Sequence, residues 1–286
     1  LLLDKPLGLS SNDALQKARR LFSAAKGGHT GTLDPLASGL LPLCFGEATK
    51  FSADLLDADK TYEAELVLGV TTDSGDAEGR VTGVAAVNVS EAEVQRVLPA
   101  FLGDISQVPP MHSALKRDGR PLYEFARQGV EVERAPRIVT IHAVEFLAFS
   151  GDRLRIRVAC SKGTYIRVLA ADIGHALGCG AHLGALRRTR VGDLDLARAV
   201  TLAELEGVEE AARMTHLLPV DALLQSLPSC NLEGETALRF RHGNPVPGLP
   251  GMVGKVRVYA EGRLIGLGDG AEDGRIWPKR LVQLAE

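Results

Sequence analysis

Between Lys26 and Gly39 the chain reads KGGHTGTLDPLASG, and one carboxylate, Asp34, stands in it against Pro35. Four glycines permit backbone shapes that side chains forbid, so the stretch is expected to be a tight, shaped loop rather than a strand or helix. Pro35 fixes its own φ and pushes Asp34 toward an extended conformation. A carboxylate held stiffly between Leu33, Leu36, Leu40 and Leu41 suits a catalytic group. The same Asp-Pro-Leu-Ala run also reads as a helix N-cap followed by a first-turn proline. The run alone leaves both open.

Other polar clusters point to less specific chemistry. The stretch 71–79, TTDSGDAEG, carries three carboxylates without EF-hand spacing and reads as a solvated turn. Cys44, Cys160, Cys179 and Cys230 are scattered, with no C-x-x-C and no His at ligand spacing. That argues against a zinc site or a disulfide framework and for a reducing, cytoplasmic setting. No phosphate-binding GxxxxGK[ST] loop, dinucleotide fingerprint or metal-ligand cluster occurs in the sequence. Arg153, Arg155 and Arg157 alternate along one strand and read equally as a phosphate track or as salt-bridged surface. Arg187, Arg188 and Arg190 form the densest basic cluster.

These groups need a scaffold, and 286 residues suffice for one large domain and a small one. The chain is 45% hydrophobic and 24% charged, an ordinary globular composition. No run approaches the roughly 18 apolar residues of a membrane helix, and Leu1-Leu2-Leu3, followed by Asp4, is too short for a secretory signal. A net charge of −3 does not advertise a nucleic-acid binder, so any phosphate contact must come from local clusters.

In chain order, Leu1–Leu3 reads as a strand. Ser10-x-x-Asp13 opens a helix with Leu15, Ala18, Leu21 and Phe22 on one face, and Lys17, Arg19 and Arg20 on a solvated face. Residues 49–56 read as a short helix. Residues 61–68 alternate as a strand whose apolar face includes Tyr62, a core position by pattern alone. Ser90-x-x-Glu93 starts a further helix. Residues 138–149 and 153–160 form a hairpin, and a helix over 166–177 ends at Gly178. Thr201-x-x-Glu204 caps a last helix before Leu217. Beyond a break at Leu227-Pro228-Ser229, strands at 255–259, 263–266, 275–278 and 279–284 are separated by glycine turns, as in a small β-barrel. The expected fold is α+β: a mixed, mainly antiparallel central sheet with flanking helices, plus that barrel.

Residues 27–51, GGHTGTLDPLASGLLPLCFGEATKF, resemble the signature of the TruB family, the bacterial tRNA pseudouridine-55 synthases. Asp4–Asn12 (DKPLGLSSN), Asp59-Lys60-Thr61-Tyr62, Cys160–Arg167 (CSKGTYIR) and Leu186-Arg187-Arg188 follow in the expected order. The resemblance covers nearly the whole chain. It implies a catalytic domain over 1–227 with a mobile, thumb-like insertion at about 104–136, and an RNA-binding PUA-like domain over 228–286. It further implies Asp34, Tyr62 and Arg167 as catalytic residues. His29, Tyr165, Leu186, Arg187 and Lys5 would serve the substrate: His29 fills the space of a flipped nucleotide, Tyr165 and Leu186 line the uracil pocket, Arg187 and Arg188 hold RNA, and Lys5-Pro6 buttress the loop. His112 departs from the aromatic residue usual in relatives.

The reaction so implied breaks the N1–C1′ bond of a uridine, rotates the base and rejoins it through C5. It needs an ionised carboxylate but no cofactor, and attack at C6, attack at C1′ and a glycal route all remain open. The implied partner is the TΨC stem-loop of tRNA, met in the cytoplasm by a monomer without membrane, guide RNA or protein partner. A tRNA-folding chaperone is the alternative of another class. The guide-RNA-dependent synthases are a second, disfavoured by the thumb-like insertion, and a glycosidase is disfavoured because a single well-placed carboxylate is evident.

Overall fold

The 61–68 pattern forms the strand Lys60–Leu68, in which Tyr62, Ala64 and Leu66 are buried between half-exposed Glu63 and Glu65. Such alternation puts one face of a strand on a core. The computed structural model describes residues 1–113, 115–117, 119–248 and 251–283. Among them a ten-stranded sheet runs in the order Val200–Thr201, Leu2–Lys5, Ala37–Phe45, Ala181–Val191, Lys60–Leu68, Arg153–Cys160, Arg137–Ser150, Gly103–Gln107. Gly27–His29 pairs with Ala37–Phe45, and Leu194–Asp195 with Ala181–Val191. Two neighbour pairs are parallel, Leu2–Lys5 with Val200–Thr201 and Ala37–Phe45 with Ala181–Val191; the rest are antiparallel. The fold is α+β, as expected.

Helices Ser11–Leu21 and Ile166–Ala176 cover this sheet. Ala14, Leu15 and Ala18 from the first, with Leu169, Ala170 and Ile173 from the second, share a core with Leu41, Leu66, Leu154 and Ile156. Gly174 lets the second helix lie close on the following strand, since a Cβ there would overlap the backbone at Gly180 and Ala181. The starts are capped as read: Ser10 accepts from the Asp13 N–H, and Ser90–Glu93 and Thr201–Glu204 form full capping boxes. After Thr201 there are two short helices, Leu202–Glu206 and Glu210–Met214, rather than one.

Beyond residue 228 a five-stranded half-barrel sheet packs on Phe240, Val256, Val258, Ile265 and Ile276. The two strands expected at 275–284 are one, Arg275–Leu281, because Pro278 keeps its place in the ladder opposite Gly268. Leu284 lies outside the described residues. The arginine row is salt-bridged surface at two of its positions: Arg153 pairs with Glu65 at 3.0 Å, and Arg157 with Glu63 at 2.9 Å and Glu145 at 2.6 Å. The strand Gly103–Gln107 closes the edge of the large sheet. No described helix is long and apolar enough to cross a membrane.

Candidate active site

The Asp34 loop is the end of a β-hairpin. Its arms, Gly27–His29 and Ala37–Phe45, pair His29 with Leu43, so the looped part of the signature is 30–36 and both flanks are strands. The Ala37 N–H donates to the Asp34 carbonyl at 3.0 Å, closing a turn with Pro35 at its second position, where a fixed φ fits. A strand follows, not a helix, which removes the N-cap alternative.

Several side chains hold this turn from beneath. Ser11 Oγ donates to the Leu33 carbonyl at 3.0 Å and accepts from the Leu33 N–H at 2.7 Å, at a fully buried site. The Gly8 N–H donates to the Pro35 carbonyl at 2.9 Å. Arg188 is 1% exposed and donates through Nε to the Leu40 carbonyl (2.7 Å) and through Nη2 to the Gly31 carbonyl (3.1 Å). Gly39, with φ +99°, sits against the Arg188 backbone, where a Cβ would overlap the carbonyl oxygen. Lys5, fully buried, donates to the carbonyls of Pro6 and Leu9 at 2.9 and 2.6 Å, and so braces the segment that carries Gly8. Burial pulls its pKa down to about 8 despite the opposing pull of Asp34.

Arg167, on the first turn of helix Ile166–Ala176, meets Asp34 across the cleft, with Nη2 3.2 Å from Asp34 Oδ2. It is no surface pair. The guanidinium is buried and also donates to Asp76 Oδ2 (3.2 Å), the Ser74 carbonyl (3.3 Å) and the His112 carbonyl (2.6 Å). Asp34 itself is 44% exposed at the side chain, Asp76 only 5%. One buried cation thus spans a buried carboxylate and one that faces solvent, and its planar fork fixes the rotamer of the second. These groups line a cleft of about 700 Å³ together with His29, Arg80, Tyr123 and Arg127. A nucleobase with its ribose fits that volume, inside the usual range for ligand clefts. An ionised carboxylate so placed can act as nucleophile or base on a ligand in the cleft. Among the described residues no three of His, Cys, Asp or Glu are grouped to hold a metal ion.

Residues 19–166 match the family model described as TruB family pseudouridylate synthase (N terminal domain). The chain belongs to the TruB family. Residues 167–225 match the tRNA pseudouridylate synthase B C-terminal domain, and 228–282 the model described as pseudouridine synthase II TruB, C-terminal. A relative from Dechloromonas aromatica (strain RCB), named tRNA pseudouridine synthase B, is 75% identical over 286 residues, which is 100% of this chain and 96% of the relative. One of the same name from Aromatoleum aromaticum is 57% identical over 282 residues, 99% and 92% of the two chains. Among solved structures, a Cbf5-Nop10-Gar1 complex contains a chain with TM-score 0.73 and 28% identity, covering 98% of this chain and 84% of that one. An archaeal box H/ACA sRNP Nop10-Cbf5 complex gives 0.72 and 26%, with coverage of 98% and 85%.

Of the residues singled out by TruB resemblance, Asp34, Arg167 and His29 meet at the cleft. The imidazole of His29 has no partner for its buried Nδ1, and burial, then Arg188, hold its pKa below the ordinary value. Tyr62 is buried, opposite Arg188 in the ladder. Burial pushes its phenol pKa up, with Arg188 pulling it back. Tyr165 is half-buried at the N-cap of the Arg167 helix, its backbone bonded both ways by the buried Gln107 amide. Leu186 packs at the core margin beside Ala37 and Ala64. Arg187 pairs with Asp4 at 2.6 Å. The buried Arg188 holds the loop and is not available to an RNA surface.

Sequence reasoning missed Asp76, which it assigned to a solvated turn. Residues 75–77 instead dock on Leu183 through two 3.0 Å backbone hydrogen bonds, which turns Asp76 inward onto Arg167. It also gave Ser11 no role beyond its place in the motif Asp4–Asn12. His112 meets Arg167 through its backbone carbonyl, so this contact does not depend on which side chain stands there.

Proposed function

We propose that the chain isomerises uridine 55 in the TΨC arm of tRNA to pseudouridine, with Asp34 as the reacting carboxylate. The observation that carries this is the Asp34–Arg167 pair in a nucleoside-sized cleft, in a TruB-family chain whose relatives bear the name tRNA pseudouridine synthase B. The uridine leaves its stack, at about a few kcal/mol, and enters the cleft. His29, which lines the cleft and has an unused ring nitrogen, occupies the vacated place. Asp34 attacks or abstracts while Arg167 and Asp76 keep its rotamer. The N1–C1′ bond breaks, the base turns, C5 bonds to C1′, and C5 loses its proton to water beside Tyr62 while N1 takes one up. Atoms are conserved throughout, and no cofactor takes part.

Specificity for the folded arm comes from shape. Arg80, Tyr123 and Arg127 line the cleft, and the two arginines supply positive charge there. The chain acts alone, without a guide RNA. The test is incubation of the protein with an unmodified tRNA transcript, followed by mapping of pseudouridine. A single modified position at 55 is expected. No pseudouridine, or pseudouridine only when a guide RNA is added, would refute the assignment.

A further inference from the structure

Among the described residues, four buried side-chain atoms have no hydrogen-bond partner: His29 Nδ1, Thr30 Oγ1, Ser113 Oγ and Arg134 Nε. Two of these residues, His29 and Ser113, line the cleft. His29 already has a place in the reaction; Ser113 has none. It is buried, and both of its backbone groups are in use. Its N–H donates to the Met111 carbonyl at 2.9 Å, and its carbonyl accepts from the Tyr123 N–H at 3.1 Å. The hydroxyl is what is left over. The other serines that line the cleft use theirs inside the protein, Ser10 on Asp13, Ser11 on Leu33 and Ser74 on Asp76. A buried hydroxyl with no partner burdens the folded state, and an alanine of nearly the same size would relieve it. Such a group asks for a reason. Its neighbour His112 bonds Arg167 Nη2 through its carbonyl, and that same nitrogen lies 3.2 Å from Asp34. Ser113 therefore stands one residue from the group that orients the carboxylate.

We propose that Ser113 is a substrate-binding residue of the cleft, whose hydroxyl donates to an oxygen of the extruded nucleoside, either a uracil carbonyl or the ribose 2′-hydroxyl. This rests on the proposal that a uridine enters the cleft. A phosphate is a poor occupant of so closed a position, since an anion costs far more to bury than a neutral group. Arg80 and Arg127 offer it a cation elsewhere in the cleft. A serine side chain has one heavy-atom torsion with three wells, so a single rotation turns the oxygen from its closed position to the ligand. In the complex the hydroxyl and the nucleoside oxygen satisfy each other, and a nucleoside lacking that oxygen leaves the hydroxyl unpaired. The unpaired group burdens the free protein alone, so the same hydroxyl lowers stability and raises affinity.

The experiment compares wild type and Ser113→Ala on tRNA carrying uridine, 2-thiouridine, 4-thiouridine or 2′-deoxyuridine at position 55. Thermal unfolding is followed for both proteins, and Kd and the single-turnover rate are read for each pairing, Kd alone serving for an analogue that does not react. With uridine, Ser113→Ala is expected to lower the rate divided by Kd about tenfold, while its Tm holds or rises. One analogue, the one that lacks the bonded oxygen, is expected to erase the difference between the two proteins, because wild type falls to the level of Ser113→Ala. Which analogue does so assigns the partner to the uracil O2, the uracil O4 or the ribose 2′-oxygen. A Ser113→Ala protein within about twofold of wild type on uridine overturns the proposal. So does a Ser113→Ala penalty that is the same with all the nucleosides. A fall in Tm of more than about 3 °C overturns it as well, since the hydroxyl would then already be bonded in the free protein. Wild type that forms no pseudouridine on the uridine transcript would sink the functional assignment itself, whereas active wild type beside an unimpaired Ser113→Ala sinks only this inference.

Discussion

At the scale of the residue, Arg167 reaches four acceptors through two nitrogens, two of them carboxylates. A lysine offers one point of charge and cannot serve both. Arg167→Lys is therefore expected to lower the single-turnover rate by ~100-fold while the protein stays folded; a loss no larger than the loss of folded protein would contradict this. Lys60 gives a prediction in pH. Burial lowers its folded pKa to about 8, where its ammonium donates to the carbonyls of Leu56 and Ala58. The unfolded chain keeps that proton up to about pH 10.4. Between the two values the unfolded state binds more protons, so this residue's contribution raises stability as pH increases. Wild-type stability relative to Lys60→Met should rise from pH 8 to 10, and a flat or falling difference in denaturant titrations would contradict it. Asp34 was legible in the sequence because glycines and a proline mark its loop locally. Asp76 was not, because its burial comes from docking on Leu183, far along the chain.

At the scale of the element, the hairpin bearing Asp34 is held by contacts with the segment 8–11 and by Arg188 from the strand Ala181–Val191. Ser11→Ala strips both partners from the buried Leu33 peptide groups, and about 1–3 kcal/mol of stability should go with them. A change below about 0.5 kcal/mol in chemical denaturation would mean water replaces the hydroxyl. Strands, caps and the hairpin at 150–153 could be read from alternation and turn residues, since those signals are local. The conversion of Gly27–His29 into a strand could not, for glycines have little strand propensity and are recruited by Leu43–Phe45. The arginine row likewise looked ambiguous until cross-strand Glu63, Glu65 and Glu145 settled opposite it.

At the scale of the whole molecule, Phe51 and Leu224 on the catalytic side pack with Leu264 and Leu267 of the C-terminal sheet. Tyr259 donates to Asp221 at 2.5 Å across the same junction, and Lys50 donates to the Leu281 carbonyl at 2.9 Å. Leu264→Ala should cost about 2–5 kcal/mol at this seam. Hydrogen exchange should then quicken in Arg263–Gly270 before it does in Lys60–Leu68, and equal quickening in both would contradict a local seam. The α+β class followed from element order. The order of strands, with Leu2–Lys5 and Ala37–Phe45 between segments from the far half of the chain, is set by long-range packing that no local pattern encodes. What that packing achieves is to bring residues 34, 76 and 167 together, and the most direct measurement of its purpose is one variant on one substrate. With unmodified tRNA, Asp34→Asn should bind as wild type does and form no pseudouridine in a single-turnover assay. Pseudouridine formed by Asp34→Asn at a rate near that of wild type would contradict the account.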